Sequence, residues 1–381
     1  MRNGKLKVAL AGLGFGGAFV PIWCMHPDVY AVDIIEPNQA KLEEYLRLRP
    51  GLPVNRCWKN YEDALADGSI DAVHLVTPIP LHARQSIAAL RAGKHCACTV
   101  PMGTSLEDLA EIVKAEKESG RNYMMMETAV YTYQCIKIAA MVSRGEFGQI
   151  QMLRGCHYQD MENWPPYWAG LPPMWYGTHA IAPLLWLTGT RAEKVCCFGS
   201  GVMRDELTKQ YANPYPAETA LFRLKDHPAA MEVTRTLFHT VRVYCEGFAI
   251  YGEKASFEWL TPDYLYTKTN PAHINYHKVA SHEPFPIEFP DTGKLLPAEI
   301  GRFTKPGQFN DENPQNTFVT GGGHHGSHPH LVHEFARSII ENRPAKISGV
   351  IAADWTAAGI CAHESAMRGG ECVSIPDFRN G

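Results

Sequence analysis

The sequence predicts an α/β protein in which the N-terminal domain is built on a parallel sheet and the C-terminal domain is an α+β unit with a large, mostly antiparallel sheet. Up to about residue 128, short β-branched runs alternate with amphipathic stretches, and longer alternating strands follow. A chain of 381 residues is also the length of two ordinary domains. We therefore expect one domain in residues 1–128 and a second in residues 129–381.

In the first domain, the alternation of strands and helices predicts parallel strands joined by right-handed crossovers. The expected strands are Lys5–Ala11, Val29–Ile35, Ala72–Val76, His95–Cys98 and Tyr123–Met126, and the expected helices are Gln39–Arg47, Leu81–Ala92, Leu106–Ser119 and one that begins near Gly16.

In the second domain, alternating strands predict one antiparallel sheet with helices on one face. The expected strands are Gln149–Tyr158, Thr219–Leu224, Ala230–Leu237 and Val241–Tyr251, and the expected helices are Leu331–Asn342 and Val350–Gly369. Residues 261–317 have little periodicity, so we expect long loops there, on the substrate side.

Composition and charge exclude several classes of function. Hydrophobic residues make up 45% and charged residues 20% of the chain, and 36 basic side chains stand against 40 acidic ones. Because this balance provides no strong positive field, we expect no nucleic-acid partner and no membrane partner. No secretory leader or membrane-spanning run is visible, and eleven scattered cysteines are typical of reduced thiols, so a cytoplasmic location is expected.

A glycine-rich turn directly follows the first expected strand. It reads Gly-Leu-Gly-Phe-Gly-Gly from residue 12 to residue 17. In a Rossmann domain, such glycines allow a tight bend, close approach of a pyrophosphate and close helix packing. Nineteen residues later, at the end of the second strand, a carboxylate would accept hydrogen bonds from ribose hydroxyls and repel a 2′-phosphate. The sequence therefore predicts NAD as cofactor. The alternative is a glycine-rich turn that binds no ligand. The predicted contacts are Gly12, Gly14, Phe15, Gly16, Gly17 and Glu36.

Two further loops follow later strands of the same domain. One reads Thr77-Pro78-Ile-Pro-Leu-His82, and the other reads Gly93-Lys94-His95-Cys-Ala-Cys-Thr99-Val100-Pro101. With the glycine turn, they resemble the T-P-x-x-x-H and G-K-H-x-x-x-E-K-P motifs of the Gfo/Idh/MocA family of sugar oxidoreductases. The resemblance implies a Rossmann domain followed by a mostly antiparallel α/β domain. It also implies cofactor contacts from Thr77, Pro78, His82, Thr99, Val100 and Pro101.

The second loop departs from the family at its most reactive position. In ordinary dehydrogenases of the family, the lysine of E-K-P assists proton transfer at the reacting hydroxyl. Here Thr99 and Val100 stand at the glutamate and lysine positions, and Lys94 does not obviously replace the missing amine. An ordinary dehydrogenase that uses another base remains an alternative.

A tyrosine and a histidine point to one branch of the family. Where the family usually reads D-x-G-x-H, this chain reads Trp175-Tyr176-Gly177-Thr178-His179. The Tyr-x-x-His pair resembles the Y-P-T-H segment of the NAD-dependent α-N-acetylgalactosaminidases of glycoside hydrolase family 109, which carry E-V-P in place of E-K-P. Residues 125–131 and 322–327 are similar to the M-x-E-N-x-x-Y and G-G-H-G-G stretches of that branch. The first similarity implies that Glu127 contacts the cofactor and that Tyr131 lies near the nicotinamide.

This branch implies hydrolysis with no net consumption of NAD. The ring carbon C3 is oxidised first, and the ketone acidifies the C2 proton so that a tyrosinate or a histidine removes it. The anomeric substituent leaves by elimination, water adds to C1, and the ketone is reduced again. The resemblance assigns Tyr176 as the base and His179 as the group that handles the oxidised hydroxyl or orients the base. On the residues alone, a packed aromatic ring and a structural imidazole are equally good interpretations.

Aromatic and polar side chains are candidates for sugar contact. The predicted substrate-binding residues are Tyr131, Tyr158, Asp160, Trp175, Arg235, His324 and His325. Packing at a dimer interface is the alternative for the aromatic residues. Arg235, His239 and Arg242 are expected on strands, where they would suit an anionic substituent or a solvated sheet face. The histidines between residues 324 and 333 lack the spacing of H-E-x-x-H, so no metal site is predicted.

Three functions are compatible with these features. The first is an NAD-dependent glycosidase that acts on a small glycoside. The second is a conventional NAD-dependent sugar or inositol dehydrogenase, and the third is a non-catalytic NAD-binding regulator, which only the missing lysine supports. A homodimer or homotetramer is expected, because the open face of the second sheet needs covering.

Overall fold

The computed structural model of the protein describes residues 1–261, 264–268, 286–313 and 315–380. These residues form two compact units. Residues 1–133 and 291–353 belong to the first unit, and residues 134–290 and 354–380 belong to the second. The expected division after residue 128 remains a prediction. Nothing in the sequence pattern indicated that residues 291–353 return to the first unit.

Parallel strands form the sheet of the first unit. They are β1 (Leu6–Ala11), β2 (Val29–Ile35), β3 (Arg56–Trp58), β4 (Ala72–Leu75), β5 (His95–Cys98) and β6 (Tyr123–Met125). Their order is β3-β2-β1-β4-β5-β6, and each neighbouring pair is parallel. The predicted Rossmann fold is confirmed. The three-residue β3, with two exposed residues, was too short and too polar to be predicted.

Helices connect these strands. They are α1 (Val20–Met25), α2 (Gln39–Arg47), α3 (Tyr61–Ala66), α4 (His82–Arg91) and α5 (Leu106–Ser119). Side-chain oxygens of Asn38 and Ser105 accept backbone N–H groups in the first turns of α2 and α5, which stabilises both helix starts. The helix expected near Gly16 begins later than predicted. A short 3-10 turn over Phe15–Ala18 comes first, and α1 starts at Val20 with a proline in its first turn.

The strand order reverses between β1 and β4. From β1 the chain proceeds to β2 and β3 on one side, whereas β4, β5 and β6 lie on the other side. In such a sheet, a ligand-binding crevice opens beyond the carboxyl ends of the two central strands. The loops that follow β1, β4 and β5 therefore position the candidate cofactor site.

The later elements are, in chain order, α6 (Tyr133–Ser143), β7 (Ile150–Tyr158), α7 (Thr178–Thr188), β8 (Ala192–Ser200), α8 (Asp205–Thr208), β9 (Ala217–Leu224), β10 (Ala230–Thr236), β11 (Cys245–Gly252), β12 (Ala255–Trp259), β13 (Leu265–Lys268), α9 (Ala298–Gly301), β14 (Gly307–Gln308), β15 (Val319–Thr320), α10 (Gly323–Gly326), α11 (His328–Ile340), α12 (Gly349–Met367) and β16 (Val373–Ser374). Of these, β14 and β15 pair with each other in the first unit. The two predicted helices near the C-terminus are confirmed as α11 and α12.

The second unit is built on an eight-stranded sheet. Its order is β13-β12-β11-β7-β10-β9-β8-β16. Its neighbouring strands pair antiparallel except for β7 and β10, which are parallel. The predicted large, mostly antiparallel sheet is confirmed.

Helix α7 packs closely on this sheet. Most of its residues are apolar, and nearly all of its residues are buried. A Cβ on Gly155 of β7 would lie 2.2 Å from the carbonyl oxygen of Ala180, so glycine is required where helix and strand meet. This close approach fixes the first turn of α7, which carries His179, relative to β7.

The strand expected at Val241–Tyr251 begins four residues later than predicted, at Cys245. Val241 and Val243 alternate as strand residues do, but both side chains are exposed and lie in a loop. His239 and Arg242 lie in the same loop, so the expectation that they sit on strands was wrong for both. Only local alternation suggested a strand there, and no neighbouring strand pairs with these residues in the described part of the chain.

The predicted loop region 261–317 lies only partly within the described residues. Residues 262–263, 269–285 and 314 lie outside them. The described part contains β13, α9 and β14, so it is less irregular than expected. The position of this region relative to a substrate stays a prediction.

The longest described helix is α12, with 19 residues. It carries two buried polar side chains that are paired inside the protein. Asp354 accepts a hydrogen bond from Arg379 at 2.6 Å, and His363 Nδ1 lies 2.6 Å from Glu218 Oε1. Within the described ranges, neither this helix nor any other has the length and apolar character that crossing a bilayer requires.

The first unit contains several buried histidines that are held neutral. Burial lowers the pKa of His26 and His330 to about 4 and that of His74 to about 3. Burial, together with the neighbouring His324, also holds the pKa of His328 well below its ordinary value. His74 Nδ1 accepts a hydrogen bond from the indole N–H of Trp23 at 3.1 Å, as a neutral ring can.

Acidification should therefore destabilise the first unit. Below pH 6.5 these histidines gain protons in the unfolded chain, but in the folded protein His26 and His330 stay neutral until about pH 4 and His74 until about pH 3. Because the unfolded state then binds more protons, the free energy of unfolding should fall between pH 6.5 and pH 4. His74→Gln, which keeps an acceptor for Trp23, should reduce this fall by about 1 kcal/mol or more. Chemical denaturation at several pH values measures it, and identical pH dependence in both proteins would contradict the assignment.

Candidate functional site

The glycine turn leaves β1 at the point where the strand order reverses. Gly12 has a φ of +94° and donates its N–H to the Ile35 carbonyl at 2.9 Å. A Cβ on Gly12 would lie 2.4 Å from the carbonyl oxygen of Val76, which follows β4. Gly17 packs against the ring of Tyr45, whose hydroxyl donates to the Gly17 carbonyl at 2.7 Å. Gly12 and Gly17 thus fix the course of the backbone, as the sequence predicts.

Gly14 has a different environment from the other glycines of the turn. A Cβ on Gly16 would collide with the side chain of Val76 at 2.9 Å, so Gly16 is a packing residue. A Cβ on Gly14 would meet, within 4 Å among the described residues, Lys41 Nζ alone, at 3.8 Å. Phe15, the next residue, is also exposed. The open space beside Gly14 is what a pyrophosphate needs to approach the backbone, so the turn fits a dinucleotide.

Glu36 is tied to the glycine turn. Its Oε2 accepts the N–H of Leu13 at 3.0 Å, and its Oε1 accepts the N–H of Asn38 at 3.1 Å. Lys41 Nζ lies 3.3 Å from Oε2. These contacts hold a buried carboxylate at the end of β2, where the adenosine ribose of a dinucleotide would lie.

His82 joins the loops that follow β4 and β5. Its Nδ1 lies 2.7 Å from the carbonyl oxygen of Pro101, and its Nε2 lies 2.8 Å from that of Thr77. Since carbonyl oxygens only accept, both ring nitrogens carry protons and the ring is a cation. Burial opposes this charge, but a neighbouring thiol and the two carbonyls raise the pKa of His82 to about 9. His82 therefore holds the two loops together, and its contact with the cofactor stays a prediction.

The other predicted residues of these loops are partly engaged within the protein. The Thr77 hydroxyl donates to Gln85 Oε1 at 2.6 Å, and Pro78 precedes a 3-10 turn. The Thr99 hydroxyl donates to a carbonyl at the end of β4 at 3.2 Å, and the peptide bond between Val100 and Pro101 is cis. The side chains of Thr99 and Val100 carry no group that titrates near neutral pH.

Lys94 does not supply the amine that the motif lacks. Its Nζ donates to two backbone carbonyls of the loop before β4, both at 2.8 Å. Burial lowers the pKa of Lys94. The ammonium is thus used to close that loop, which agrees with the expectation that Lys94 does not replace the missing amine.

Glu127 and Tyr131 follow β6. Glu127 is fully buried, and its Oε1 accepts the N–H of Ala129 at 2.9 Å, which caps a 3-10 turn that ends at Tyr131. The ring of Tyr131 lies parallel to that of His330, with centroids 6.2 Å apart. Both residues lie in the first unit, as the predicted roles at the cofactor require.

His324 and His325 belong to the first unit as well. Both have left-handed backbones, with φ of +44° and +52°. The ring of His324 lies edge-on to Phe15 of the glycine turn, with centroids 5.2 Å apart, and its Nδ1 lies 3.2 Å from His328 Nε2. The ring of His325 lies 5.7 Å from that of Tyr133. The fold therefore brings His324 to the glycine turn, and sugar contact by either histidine stays a prediction.

Tyr176 and His179 come together in the second unit. Tyr176 ends a 3-10 turn, Gly177 follows, and His179 stands in the first turn of α7. Tyr176 Oη lies 3.3 Å from His179 Nε2, and the two rings are edge-to-face with centroids 5.3 Å apart. Trp168 packs edge-on against Tyr176 at 4.9 Å. A phenol and an imidazole at this distance can exchange a proton with each other and with a substrate.

Three residues that the sequence did not single out complete this group. His157 on β7 lies opposite Glu246 on β11, and its ring lies 5.1 Å from that of His179. Glu246 Oε1 lies 3.8 Å from Nε2 of both histidines and accepts a hydrogen bond from the Tyr244 hydroxyl. Burial and the nearby carboxylate raise the pKa of Tyr244. The sequence does contain one sign of this group, because Glu246 is a single glutamate within the apolar run that forms β11.

Arg235 holds the backbone of this group. It is fully buried on β10 and donates from Nε to the Tyr176 carbonyl at 3.0 Å and from Nη1 to the His157 carbonyl at 3.1 Å. Its Nη2 donates to Gln159 Oε1 at 3.0 Å. Its guanidinium carbon lies 5.3 Å from the Tyr176 ring centroid, and burial lowers the pKa of Arg235 to about 10. Arg235 thus makes several contacts within the protein, and its predicted contact with substrate stays a prediction.

The structure does not bring the other predicted sugar contacts into this group. Tyr158 follows His157 on β7 and therefore points to the opposite face of the sheet. Asp160 is exposed and caps a turn. Trp175 is half-buried against Tyr211 and His363. Their roles at a substrate stay predictions.

Comparisons with known proteins bear on these features. Residues 6–127 match the model of the Gfo/Idh/MocA oxidoreductase family, described as an NAD-binding Rossmann fold. The chain is 22% identical to a glycosyl hydrolase family 109 protein of Phocaeicola vulgatus, over 99% of this chain and 84% of that one. It is 30% identical to an inositol 2-dehydrogenase of Rhodococcus jostii over 41% of this chain and 42% of that one.

Solved structures share the fold. A levoglucosan dehydrogenase in complex with NADH and levoglucosan superposes with a TM-score of 0.77 at 21% identity, over 98% of this chain and all of that one. The predicted family resemblance, the predicted fold and NAD as cofactor are thereby confirmed. The similar proteins include one named as a glycosyl hydrolase family protein and others named as dehydrogenases. The similarity therefore does not decide between hydrolysis and dehydrogenation.

Gly14 offers a test of the cofactor cradle that leaves the fold intact. Gly14→Ala adds a methyl group where the protein has room for it but where the pyrophosphate must approach, so NAD affinity should fall about tenfold or more. Calorimetric titration with NAD+ measures the affinity, and thermal unfolding should be unchanged. Gly12→Ala is the matched control and should instead destabilise the protein, because its Cβ meets the Val76 carbonyl. Unchanged NAD affinity in Gly14→Ala would contradict the assigned cradle.

Proposed function

Because residues 6–127 form the NAD-binding Rossmann domain of the Gfo/Idh/MocA oxidoreductase family, we propose that this enzyme is an NAD-dependent glycosidase that returns its cofactor to the starting state in each turnover. The substrate class is a small glycoside. The observation that carries the proposal is the Tyr176–His179 pair in a chain that has valine in place of the motif's lysine.

The glycine turn and Glu36 are the residues that hold the cofactor in this proposal. The space beside Gly14 admits the pyrophosphate, and the Glu36 carboxylate, oriented by the Leu13 N–H, accepts the ribose hydroxyls. When bound, NAD+ provides reversible acceptance of a hydride from the ring carbon C3 of the sugar.

His179 handles the hydroxyl proton at C3. Its Nε2, which faces Tyr176 and lies 3.8 Å from Glu246 Oε1, accepts that proton as the hydroxyl becomes a ketone and returns it at the end. Glu246 stabilises the imidazolium formed in between. The buried position of both residues strengthens this interaction relative to water.

Tyr176 removes the C2 proton. The Arg235 guanidinium near its ring favours the phenolate over the phenol. The electron pair of the C2–H bond forms a C1–C2 double bond while the bond from C1 to the aglycone oxygen breaks, and the aglycone leaves. Water then adds its oxygen to C1, the proton that this water gives up neutralises the released aglycone anion, and Tyr176 returns a proton to C2. The sum is hydrolysis of the glycoside, with no oxidant consumed.

The replaced lysine supports this assignment. In ordinary family dehydrogenases that lysine assists proton transfer at the reacting hydroxyl, and here neither Val100 nor the engaged Lys94 can do so. A chain with a different acid-base pair is better suited to a reaction that also needs a C2 base. The similarity of nearly the whole chain to glycosyl hydrolase family 109 proteins supports the same conclusion.

A conventional sugar or inositol dehydrogenase is the second candidate. The names of similar proteins favour it, since one is an inositol 2-dehydrogenase and another is a levoglucosan dehydrogenase in complex with NADH and levoglucosan. In that reaction, Tyr176 and His179 would serve only the hydroxyl proton, and NADH would be released. A cytoplasmic location and a homodimer or homotetramer are proposed with either function.

A panel of nitrophenyl glycosides separates these candidates. The purified protein should release nitrophenol without accumulating NADH, because the hydride returns to the sugar in the same turnover. NADH formed in proportion to the sugar consumed, with no nitrophenol, would favour the dehydrogenase. If neither signal appears, a non-catalytic NAD-binding protein is favoured.

Tyr176→Phe tests the base. Removal of the phenolic oxygen should lower glycoside cleavage about a hundredfold or more, whereas NAD affinity should stay unchanged because Tyr176 is not among the cofactor contacts. Tyr251→Phe, a half-buried tyrosine on β11, is the matched control and should retain full activity. Steady-state kinetics and NAD titration measure both variants. Undiminished cleavage by Tyr176→Phe would remove this residue from the mechanism.

A further inference from the structure

The side chains of His157, His179 and Glu246 lie close enough together to bind one ion. Each side chain offers a ligand atom, and these atoms lie within 4.8 Å of one another. The three residues come from β7, α7 and β11, and each is at most 5% exposed. Among the described residues, no other set of three histidine, cysteine, aspartate or glutamate side chains lies so close. The histidines between residues 324 and 333 do not form such a set.

The distances suit metal coordination better than hydrogen bonding. Glu246 Oε1 lies 3.8 Å from Nε2 of each histidine, which is too long for a hydrogen bond. Ligands bound to one tetrahedral Zn²⁺ at about 2.1 Å are separated by about 3.4 Å. The two Glu246–histidine distances would each have to shorten by about 0.4 Å, and the separation of the two histidine ligand atoms, which is at most 4.8 Å, by about 1.4 Å or less, for all three atoms to bind one ion.

We infer that His157, His179 and Glu246 form a binding site for one divalent transition-metal ion, of which Zn²⁺ is the type. Two imidazoles with one carboxylate favour this class over Mg²⁺ or Ca²⁺, which prefer oxygen ligands. Tyr244 supports the site, because its hydroxyl donates to the ligating oxygen of Glu246 and so orients the carboxylate.

Charge balance shapes what the ion would do. Glu246 contributes one negative charge, whereas Arg235 already contributes a positive charge nearby, so a bound divalent cation leaves the group positive. Such a site attracts anionic oxygen. Tyr176 Oη lies 3.3 Å from His179 Nε2, at the edge of the site. As a phenolate, it would be an anionic oxygen of the kind that the site attracts. The remaining positions around the ion would accept sugar oxygens.

This catalytic consequence rests on the proposed function, whereas ion binding itself does not. The ion would polarise the C3 carbonyl and stabilise negative charge that develops on its oxygen as Tyr176 removes the C2 proton. His179 would then act as a ligand, and the proton of the C3 hydroxyl would pass to water, which leaves Tyr176 free to remove the C2 proton. The ion would thereby act on the same reacting oxygen at which the family lysine assists proton transfer.

The test is a titration of the full-length protein after removal of metals with a chelator. Co²⁺ is followed by visible absorption and Zn²⁺ by calorimetry. One equivalent of each should bind, with a dissociation constant in the micromolar range or tighter and with the intense absorption of low-symmetry Co²⁺. Absence of saturable binding to the wild-type protein would overturn the inference without need of any variant.

Variants locate the ion. His157→Gln and Glu246→Gln should each weaken Co²⁺ binding more than Tyr244→Phe, which should weaken it about tenfold. His227→Gln, a half-buried histidine in the turn before β10, is the matched control and should bind as the wild type does. Circular dichroism checks that each variant is folded. Loss of binding in His324→Gln but not in His157→Gln would place the ion elsewhere and overturn the inference.

The two proposals fail separately. If the protein binds metal at these residues but cleaves no glycoside, the metal site is supported and the proposed glycosidase is contradicted. Full cleavage by metal-free protein that binds no Co²⁺ would retain the glycosidase and reject the site. If both are correct, chelation should abolish cleavage and one equivalent of Zn²⁺ should restore it.

Discussion

A buried guanidinium holds the candidate catalytic group in place. Arg235 has no access to water, so each of its N–H groups must find an oxygen within the protein. It finds backbone carbonyls of Tyr176 and His157 and the side chain of Gln159. The turn before α7 is thereby fastened to the sheet. A hydrogen bond to a charged group contributes about 1.5–3 kcal/mol, so this arrangement tolerates little displacement.

In the glycine turn of the first unit, the important feature is open space and not a buried contact. Gly12 and Gly17 are glycines because neighbouring atoms leave no room, whereas Gly14 is a glycine although the protein leaves room. That contrast separates glycines that the fold requires from Gly14, for which we propose a role at the cofactor. In the proposed account, the cofactor held there is a resident part of the enzyme. Its hydride is borrowed and returned, which suits a chain that has lost the lysine of ordinary dehydrogenases.

Sequence reasoning was most successful where local chemistry determines structure. The glycine turn and Glu36 depend on contacts among neighbouring strands, and both occur as expected. The Tyr176–His179 pair was found because both residues lie within one turn of chain. His157 and Glu246 were missed, because strands that are far apart in sequence bring them together. The return of residues 291–353 to the first unit was missed for the same reason. The valines before β11 have the alternation of a strand, but no strand among the described residues pairs with them.

The central claim is that the sugar is oxidised transiently and that its C2 proton is exchanged before the cofactor is restored. The most direct measurement is glycoside cleavage in heavy water, followed by analysis of the product sugar by nuclear magnetic resonance. The account predicts deuterium at C2 of the product and no net formation of NADH. Release of the aglycone with hydrogen fully retained at C2 would contradict it, since an ordinary hydrolysis never breaks that bond.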